Sequence, residues 1–188
     1  MKNTENIENL KDEIKNLGIS AAAVFPVGDI KFDDIFRKMC RDNLCGRYGK
    51  NYKCPPIIGE PEELKNEIKT YDDVILIQTI YPLEDSFDFE GMGEGGKIHA
   101  ENIDKTREYI KANLNFEKML VLGAGGCNLC EKCGVIENVP CRFPDRAISS
   151  VEAYCMNVAD MTNSHGLNYI NGENTVSYVA VFLIHEQI

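Results

Sequence analysis

The chain has 188 residues and a formal net charge of −10. This length is enough for one domain that buries most of its apolar surface, so the fold does not need disulfides for stability. The excess of acidic residues argues against a nucleic acid or an anionic membrane as partner, and no apolar run is long enough to span a bilayer.

The amino-terminal residues, Met1–Glu13, are polar and lack the apolar core of a secretory signal peptide. We therefore expect a cytoplasmic protein whose thiols stay reduced. Clustered cysteines in a reducing compartment bind metal more often than they form disulfides. The eight cysteines of the chain accordingly point to metal binding.

Helices and strands alternate from the start of the chain. Apolar residues at spacings of three and four predict an amphipathic helix over Asn3–Leu17, closed by Gly18. A short apolar stretch predicts a strand over Ala21–Phe25, and a second helix is predicted over Asp33–Met39. The second helix leads directly into the first group of cysteines.

Residues 40–56, which we call the first cysteine segment, hold Cys40, Cys45 and Cys54, followed at once by Pro55 and Pro56. Glycines permit tight turns here and the prolines force an extended exit, so we predict a structured loop. Three cysteines this close together predict metal or cluster ligands, with a fourth ligand from elsewhere. The alternative is one buried cysteine and two incidental thiols.

The same stretch is basic within an acidic protein. It is either a solvated basic face or a set of cations that compensates an anionic cluster or substrate, since a thiolate-held cluster carries net negative charge. The cations between residues 37 and 54, with Asp42 as the single acid, are Arg37, Lys38, Arg41, Arg47, Lys50 and Lys53.

The middle of the chain continues the alternation. Pro61 opens a predicted helix, and the apolar run Asp73–Ile80 predicts a strand covered on both faces. Acidic residues predict an irregular, exposed stretch over Pro82–Glu90. The motif GMGEGGK, Gly91–Lys97, resembles part of a phosphate-binding P-loop, but Ile98 stands where Ser or Thr is required, so we predict a flexible loop.

A further helix is predicted over Lys97–Leu114, with His99 near its start as a surface or capping residue. The other two histidines, His165 and His185, lack metal-ligand spacing and are expected to be structural. A strand predicted over Lys118–Gly123 then runs into the second group of cysteines.

Residues 123–144, which we call the principal cysteine loop, contain Cys127, Cys130 and Cys133 at every third position and Cys141 further on. Three thiolates at this spacing can each reach a different iron of a cuboidal 4Fe-4S cluster, with the fourth arriving from further along the chain. A zinc ion more usually draws on two separated pairs of cysteines, so zinc is the less favoured metal. A disulfide or core role is the third reading.

The carboxy-terminal part is predicted to form a helix over Ala147–Asn163 and a strand over Val176–Ile184. Cys155 lies beside the apolar stripe of this helix, where it is either a core filler or a ligand. Glu152 is expected to be exposed to solvent unless it contacts the principal cysteine loop.

This alternation predicts a single α/β domain over residues 1–188, with a small mixed or parallel sheet flanked by helices. The two cysteine-rich stretches are expected to form cluster-binding loops that project from the ends of strands.

Both cysteine groups together resemble a family of predicted metal-binding proteins, domain of unknown function 2284. The resemblance covers nearly the whole chain and implies metal or iron-sulfur binding in largely anaerobic organisms, with no particular reaction. Because the family carries glycine where this chain has Cys155, the resemblance does not imply a general ligand role there. The matching residues are Cys40, Cys45, Cys54-Pro55-Pro56, Gly126-Cys127, Cys130, Cys133, Cys141-Arg142, Pro144 and Ser150–Ala153.

These observations predict one or two 4Fe-4S clusters and a role in electron transfer. Cysteines 127, 130, 133 and 141 would bind one cluster, while cysteines 40, 45 and 54 bind a second cluster or lend a ligand to the first. A cluster capped by four thiolates suits a carrier that docks with a redox partner protein. Such a carrier predicts an exposed cluster edge and no small-molecule pocket.

Two alternatives stay open. A cluster with three protein ligands leaves one iron open, as in a small redox or lyase-type enzyme. That enzyme would bind a small anionic substrate with help from Arg41, Arg47 and Lys53, and it predicts a pocket over the three-cysteine site. The other alternative is an interaction domain stabilised by zinc.

Overall fold

A computed structural model describes residues 10–187. Its centre is a five-stranded sheet in the spatial order β1-β2-β5-β3-β4. Neighbouring strands of the sheet are antiparallel, except for β3 and β4, which pair parallel. Strand β5 lies between β2 and β3 and runs antiparallel to both. The predicted α/β fold with a mixed sheet is therefore confirmed. The strands are β1 (Ala21–Pro26), β2 (Asp73–Pro82), β3 (Phe116–Gly123), β4 (Ser149–Ser150) and β5 (Thr175–Glu186).

Helices cover both faces of the sheet. Residues 10–15 are helical, and the earlier part of the predicted helix Asn3–Leu17, with Ile7, lies outside the described residues. In the part of the chain that the structure describes, no helix is both long and apolar enough to cross a membrane. The remaining α-helices are α1 (Ile35–Asp42), α2 (Pro61–Ile68), α3 (Phe89–Asn113) and α4 (Val158–Ser164).

The apolar run of strand β2 lies in the middle of the sheet, where both faces are covered. Val74 and Leu76 point to one face and pack in a core with α2 and α4. Ile75 and Ile77 point to the other face and pack with α3 and the helical residues 10–15. Successive side chains of a strand point to opposite faces, so a sheet covered twice requires apolar residues at every position.

The glycine motif Gly91–Lys97 is helical, which makes the prediction of a flexible loop wrong. Helix α3 begins at Phe89, and Asp88 caps it by accepting a hydrogen bond from the Gly91 backbone N–H at 2.8 Å. A Cβ atom added to Gly95 would lie 2.9 Å from Cβ of Tyr81. The glycines therefore serve close packing of α3 on the sheet, and no phosphate-binding turn forms.

His99 is buried, which contradicts its predicted place at the surface or in a cap. Only 3% of the residue is exposed, and its Nδ1 atom lies 2.9 Å from Oγ1 of Thr79. Burial lowers the pKa of His99 to about 4, an effect that the nearby Val179 backbone partly offsets. The imidazole is consequently neutral at physiological pH.

The predicted helix over Ala147–Asn163 is broken, and only its last part, α4, is helical. The chain first forms the short strand β4, then a 3-10 turn over Glu152–Tyr154. The helical spacing was misleading because residues 153–156 are all buried, whichever way they point. This break places the turn beside α1, next to the first cysteine segment.

Candidate metal centre

The principal cysteine loop leaves the end of β3 and folds back on itself. A 3-10 turn over Gly134–Glu137 follows Cys133 directly, and the Val139 N–H donates to the Gly134 carbonyl at 3.0 Å. A Cβ atom on Gly134 would lie 2.6 Å from the Val139 oxygen. Glycine is therefore required for the close return that carries Cys141 back toward Cys133.

This return brings the four cysteines of the loop around a single surface cavity. Cys127, Cys130, Cys133 and Cys141 all line it, and all four are free thiols of intermediate exposure. The structure thus brings together the residues that sequence spacing had grouped. Four soft sulfur donors around one cavity form a donor set that iron-sulfur clusters and structural zinc sites both use.

Among the described residues, the thiols of the loop do not form a preformed site for a single ion. Within residues 10–187, no three His, Cys, Asp or Glu side chains lie close enough together to hold one metal ion. A tetrahedral zinc site with Zn–S bonds of about 2.3 Å needs sulfurs about 3.8 Å apart. Each ligand of a cubane binds a different iron, so its sulfurs stay further apart.

The first cysteine segment docks onto the principal loop through polar contacts. Arg47 Nη1 and Asn51 Nδ2 both donate to the Cys127 carbonyl, at 2.6 and 2.9 Å. The backbone N–H of Tyr52 donates to Sγ of Cys133 at 3.5 Å, and its hydroxyl donates to the Val139 carbonyl at 2.9 Å. Two distant stretches of sequence therefore build one site.

Gly126 permits this docking. A Cβ atom at this position would lie 2.7 Å from Cδ of Arg47 and 3.2 Å from Sγ of Cys54. Real Cβ atoms essentially never approach a neighbour as closely as the first distance. Any side chain at residue 126 would therefore displace Arg47, which contacts the principal loop.

The three thiols of the first segment share one neighbourhood. Burial raises the pKa of Cys54 to about 11, with smaller contributions from the thiols of Cys45, Cys40 and Cys127. Cys54 is therefore within electrostatic range of both cysteine groups. Burial also raises the pKa of Cys40, which the Arg37 guanidinium opposes. The structure brings these three thiols together but leaves Cys45 exposed.

The cations between residues 37 and 54 do not form one solvated face. Arg37 is 6% exposed and donates to the carbonyls of Ala153 and Gly59, at 3.1 and 2.7 Å. Lys53 lines the four-cysteine cavity, and Arg47 contacts the principal loop. Three cations therefore lie at or beside the two thiol groups, whereas Arg41 is exposed.

The far end of the principal loop carries its own cation. Arg142 pairs with Glu137, and it donates to the Lys132 carbonyl at 3.1 Å. Glu137 and, to a smaller extent, the nearby Cys130 thiol raise the pKa of Arg142. This arginine fixes the last turn of the loop and places positive charge against one of the four thiols.

Cys155 differs from the four cysteines of the principal loop in its backbone conformation and in its burial. Its φ angle of 62° is in the left-handed region, which favours glycine, and none of its surface is exposed. Burial raises the pKa of its thiol to about 11. A buried thiol at a position shaped for glycine behaves as core filler. The nearby Glu152 is partly buried and not fully exposed as expected, and burial raises its pKa.

Sequence reasoning missed Asn51 and Tyr52, both of which contact the principal loop. Asn51 is 5% exposed, although it stands in a glycine-rich stretch that reads as a surface loop. The available signal was their position between Cys45 and Cys54, since residues between ligands are held close to the site.

The family model described as predicted metal-binding protein (DUF2284) matches residues 23–184, and the chain therefore belongs to this family. The resemblance drawn from the cysteine motifs is confirmed. No curated protein matches the chain.

Among solved structures, the chain is similar to epoxyqueuosine reductases. That of Bacillus subtilis shares 11% identity at a TM-score of 0.44, over 98% of this chain and 46% of that one. The Streptococcus thermophilus protein shares 14% at 0.43, over 100% and 47%. An epoxyqueuosine reductase with a tRNA-Tyr stem loop shares 10% at 0.43, over 98% and 47%. The chain spans about half the length of these proteins, and TM-scores this low support no functional conclusion.

Proposed function

We propose that this predicted metal-binding protein is an iron-sulfur protein that acts in electron transfer. Cys127, Cys130, Cys133 and Cys141 hold one 4Fe-4S cluster. Cysteines 40, 45 and 54 of the first segment hold a second cluster or lend a ligand to the first. When bound, a cluster capped by four thiolates supplies reversible one-electron transfer without an open iron.

A single observation carries this proposal: the four cysteines of the principal loop line one cavity at the surface. Each thiol is free and partly exposed, so inorganic iron and sulfide have access to all four. The donor set contains sulfur alone, which is the soft ligand set that iron-sulfur clusters require.

The surrounding residues supply the secondary interactions that such a centre needs. The Tyr52 N–H donates to a ligating sulfur, that of Cys133, and hydrogen bonds of this kind raise a cluster's reduction potential. Lys53 on the cavity wall and Arg142 beside Cys130 offset negative charge. Their positive charge favours the reduced, more anionic state.

The rim of the loop offers a surface for a redox partner protein. Ile136 is 47% exposed, and Val139 and Phe143 are each 39% exposed. Large apolar side chains grouped at the surface mark interaction sites in proteins. The three residues belong to the same short loop as the four cysteines, so a partner docked on them would lie close to the cluster.

Anaerobic purification followed by iron, acid-labile sulfide and zinc counts tests the cofactor directly. About eight irons with matching sulfide per chain would support two clusters, and about four would support one. One or two zinc ions without sulfide would overturn the proposal and favour the zinc-stabilised interaction domain.

Reoxidation of the dithionite-reduced protein by cytochrome c tests the docking surface. Replacing Phe143 by Ser should slow the reaction about fivefold while iron content stays unchanged, because hot-spot residues of an interface are often exposed aromatics. Phe87→Ser is the matched control, since Phe87 is also exposed, at 79%, but lies outside both cysteine regions. Equal rates for the two variants would contradict docking at the loop.

A second function, a small redox or lyase-type enzyme with an open iron, is favoured by the incomplete first segment. Its thiols number three within residues 40–56, and Cys45 among them is exposed. Arg47, one of the cations expected to bind substrate there, is instead engaged by the Cys127 carbonyl. A substrate-dependent change in the electron paramagnetic resonance spectrum that Cys54→Ser abolishes would support this enzyme over the carrier.

A further inference from the structure

A second cavity, which we call the α3 pocket, opens between helix α3, the end of β3 and the start of the principal cysteine loop. Its volume is about 690 Å³, within the range of pockets that hold small molecules and cofactors. One wall is the helix surface at Gly93, Gly96 and Ala100, where no long side chain fills the space. The opposite wall is the backbone of residues 124–129.

The charge of this pocket opposes that of the whole protein. Lys97, Arg107 and Arg146 face one carboxylate, Asp104, whereas the chain carries a net charge of −10. Asp104 pairs with both arginines, at 2.6 Å to Arg107 Nη1 and 2.8 Å to Arg146 Nη2. A positive cavity in an acidic protein attracts and retains anions.

Arg107 and Lys97 differ in burial, and this difference suits the binding of an anion. Arg107 is only 6% exposed, so its position in the wall is fixed. Lys97 is exposed and, within residues 10–187, has no ion-pair or hydrogen-bond partner. A fixed cation beside a free one lets an anion gain a contact without breaking an existing ion pair.

The floor of the pocket is apolar and aromatic with one unused polar atom. Ile103, Ile148 and the ring of Tyr178 line it. His99 also lines it and is 97% buried, with 3% exposed. Its Nε2 atom is buried and makes no hydrogen bond of good geometry among the described residues, although the Val179 backbone acts on the ring. Buried polar atoms are nearly always paired, so this nitrogen indicates a position for a ligand group.

The pocket shares a wall with the four-cysteine cavity. Cys127 and Leu129 line both spaces. A molecule in the α3 pocket would therefore lie against one of the four cysteines. The expectation that a carrier has no small-molecule pocket is thus wrong, although this pocket does not lie over the three-cysteine site, where the enzyme alternative predicts one.

We propose that the α3 pocket binds a small organic anion with a flat aromatic body, its carboxylate or phosphate toward Lys97 and its ring over Tyr178. The pocket shares Cys127 and Leu129 with the four-cysteine cavity, and no residue of the first cysteine segment lines it. This inference rests on the wall residues alone and holds whichever metal the cysteines carry.

Calorimetric titration of the anaerobically purified protein with naphthoate, a flat aromatic carboxylate, tests the proposal. The uncharged naphthamide is the matched probe, because it has the same ring system without the charge. We expect one naphthoate per chain and an affinity at least tenfold above that of naphthamide. Equal affinities for the two, or more than one equivalent of naphthoate, would overturn the proposal.

Substitutions on α3 locate the site. Lys97→Gln should weaken naphthoate binding about fivefold, whereas Lys105→Gln, at an exposed position of the same helix outside the pocket, should not change it. Ala100→Met should fill the cavity and abolish binding, with Glu101→Met as its exposed control. Binding that survives Ala100→Met, or that both lysine variants weaken equally, would contradict the assignment. If the purified protein contains no iron-sulfur cluster but still binds naphthoate, the proposed function is refuted and the assignment of the α3 pocket stands.

Discussion

The two cysteine regions use their thiols in different ways. In the principal loop, four cysteines of similar, intermediate exposure line one cavity. In the first segment, three cysteines range from buried Cys54 to exposed Cys45. The first set is complete in number for a cubane, and the second is one ligand short.

The regions also depend on each other unequally. The first segment supplies Arg47, Asn51 and Tyr52 to the principal loop, and the loop offers carbonyl oxygens and one sulfur in return. The loop therefore carries its own four thiols but is held in shape by residues about 80 positions away. A motif can contain all the donor atoms of a site and still need a distant segment to position them.

Removing one ligand from each region gives the largest expected effects. Cys133→Ser should remove about four irons per chain, since a cubane rarely survives the loss of a thiolate. Cys54→Ser should remove the second group of about four irons if the first segment holds its own cluster, and should destabilise the same cluster as Cys133→Ser if the segment lends a ligand to it. Iron and sulfide counts measure both, with Cys155→Ser as the variant that should keep all its iron. A full iron count in Cys133→Ser would contradict the assignment of the principal loop as the cluster site.

Acid should destabilise the scaffold through His99, apart from both cysteine regions. The pKa of His99 is about 4 in the folded protein against 6.5 as its ordinary value. The unfolded chain therefore binds more protons between these values, and stability falls as pH drops from 6.5 to 4.

The loss should approach about 3 kcal/mol at pH 4. Urea unfolding at a series of pH values measures it, and His99→Gln should flatten this part of the profile. An equally steep profile in His99→Gln would assign the acid sensitivity to other groups.

Weakening the contact between the regions should have an intermediate effect. Arg47→Ala removes the donor at 2.6 Å from the Cys127 carbonyl and should lower the free energy of unfolding by about 2 kcal/mol. The cluster should also lose iron to a chelator faster than in the parent protein. Lys50→Ala, at an exposed position of the same segment, is the control, and identical rates for the two would show that the contact does not hold the loop.

The smallest effect concerns the cysteine outside both groups. Cys155→Ala keeps the left-handed φ of 62° and loses buried sulfur, whereas Cys155→Gly relieves a backbone cost of about 1 kcal/mol. We therefore expect the glycine variant to be about 1 kcal/mol more stable than the alanine variant. Chemical denaturation measures the difference, and the reverse order would mean that the turn relaxes without glycine.

The fold and the thiol groups could be predicted where the pattern was local. The apolar run of β2 indicated a doubly covered strand, and the spacing of cysteines 127, 130 and 133 indicated one site. In both, residues close in sequence share one environment, so periodicity alone is informative.

Predictions failed where distant packing decided the outcome. Gly95 looks like a loop residue, but the rings of Tyr81 and Tyr178 require its small size inside α3. Residues around Cys155 showed helical spacing, although they are buried on all sides. The roles of Arg37 and Tyr52 depend on partners far away in sequence, which a single chain read in order does not reveal.

Anomalous scattering at the iron absorption edge, from crystals grown without oxygen, tests the central claim most directly. The account predicts compact iron density in the principal loop, within bonding distance of the sulfurs of Cys127, Cys130, Cys133 and Cys141. Iron absent from this cavity, or these four thiols paired as disulfides or bound to a single zinc ion, would contradict it.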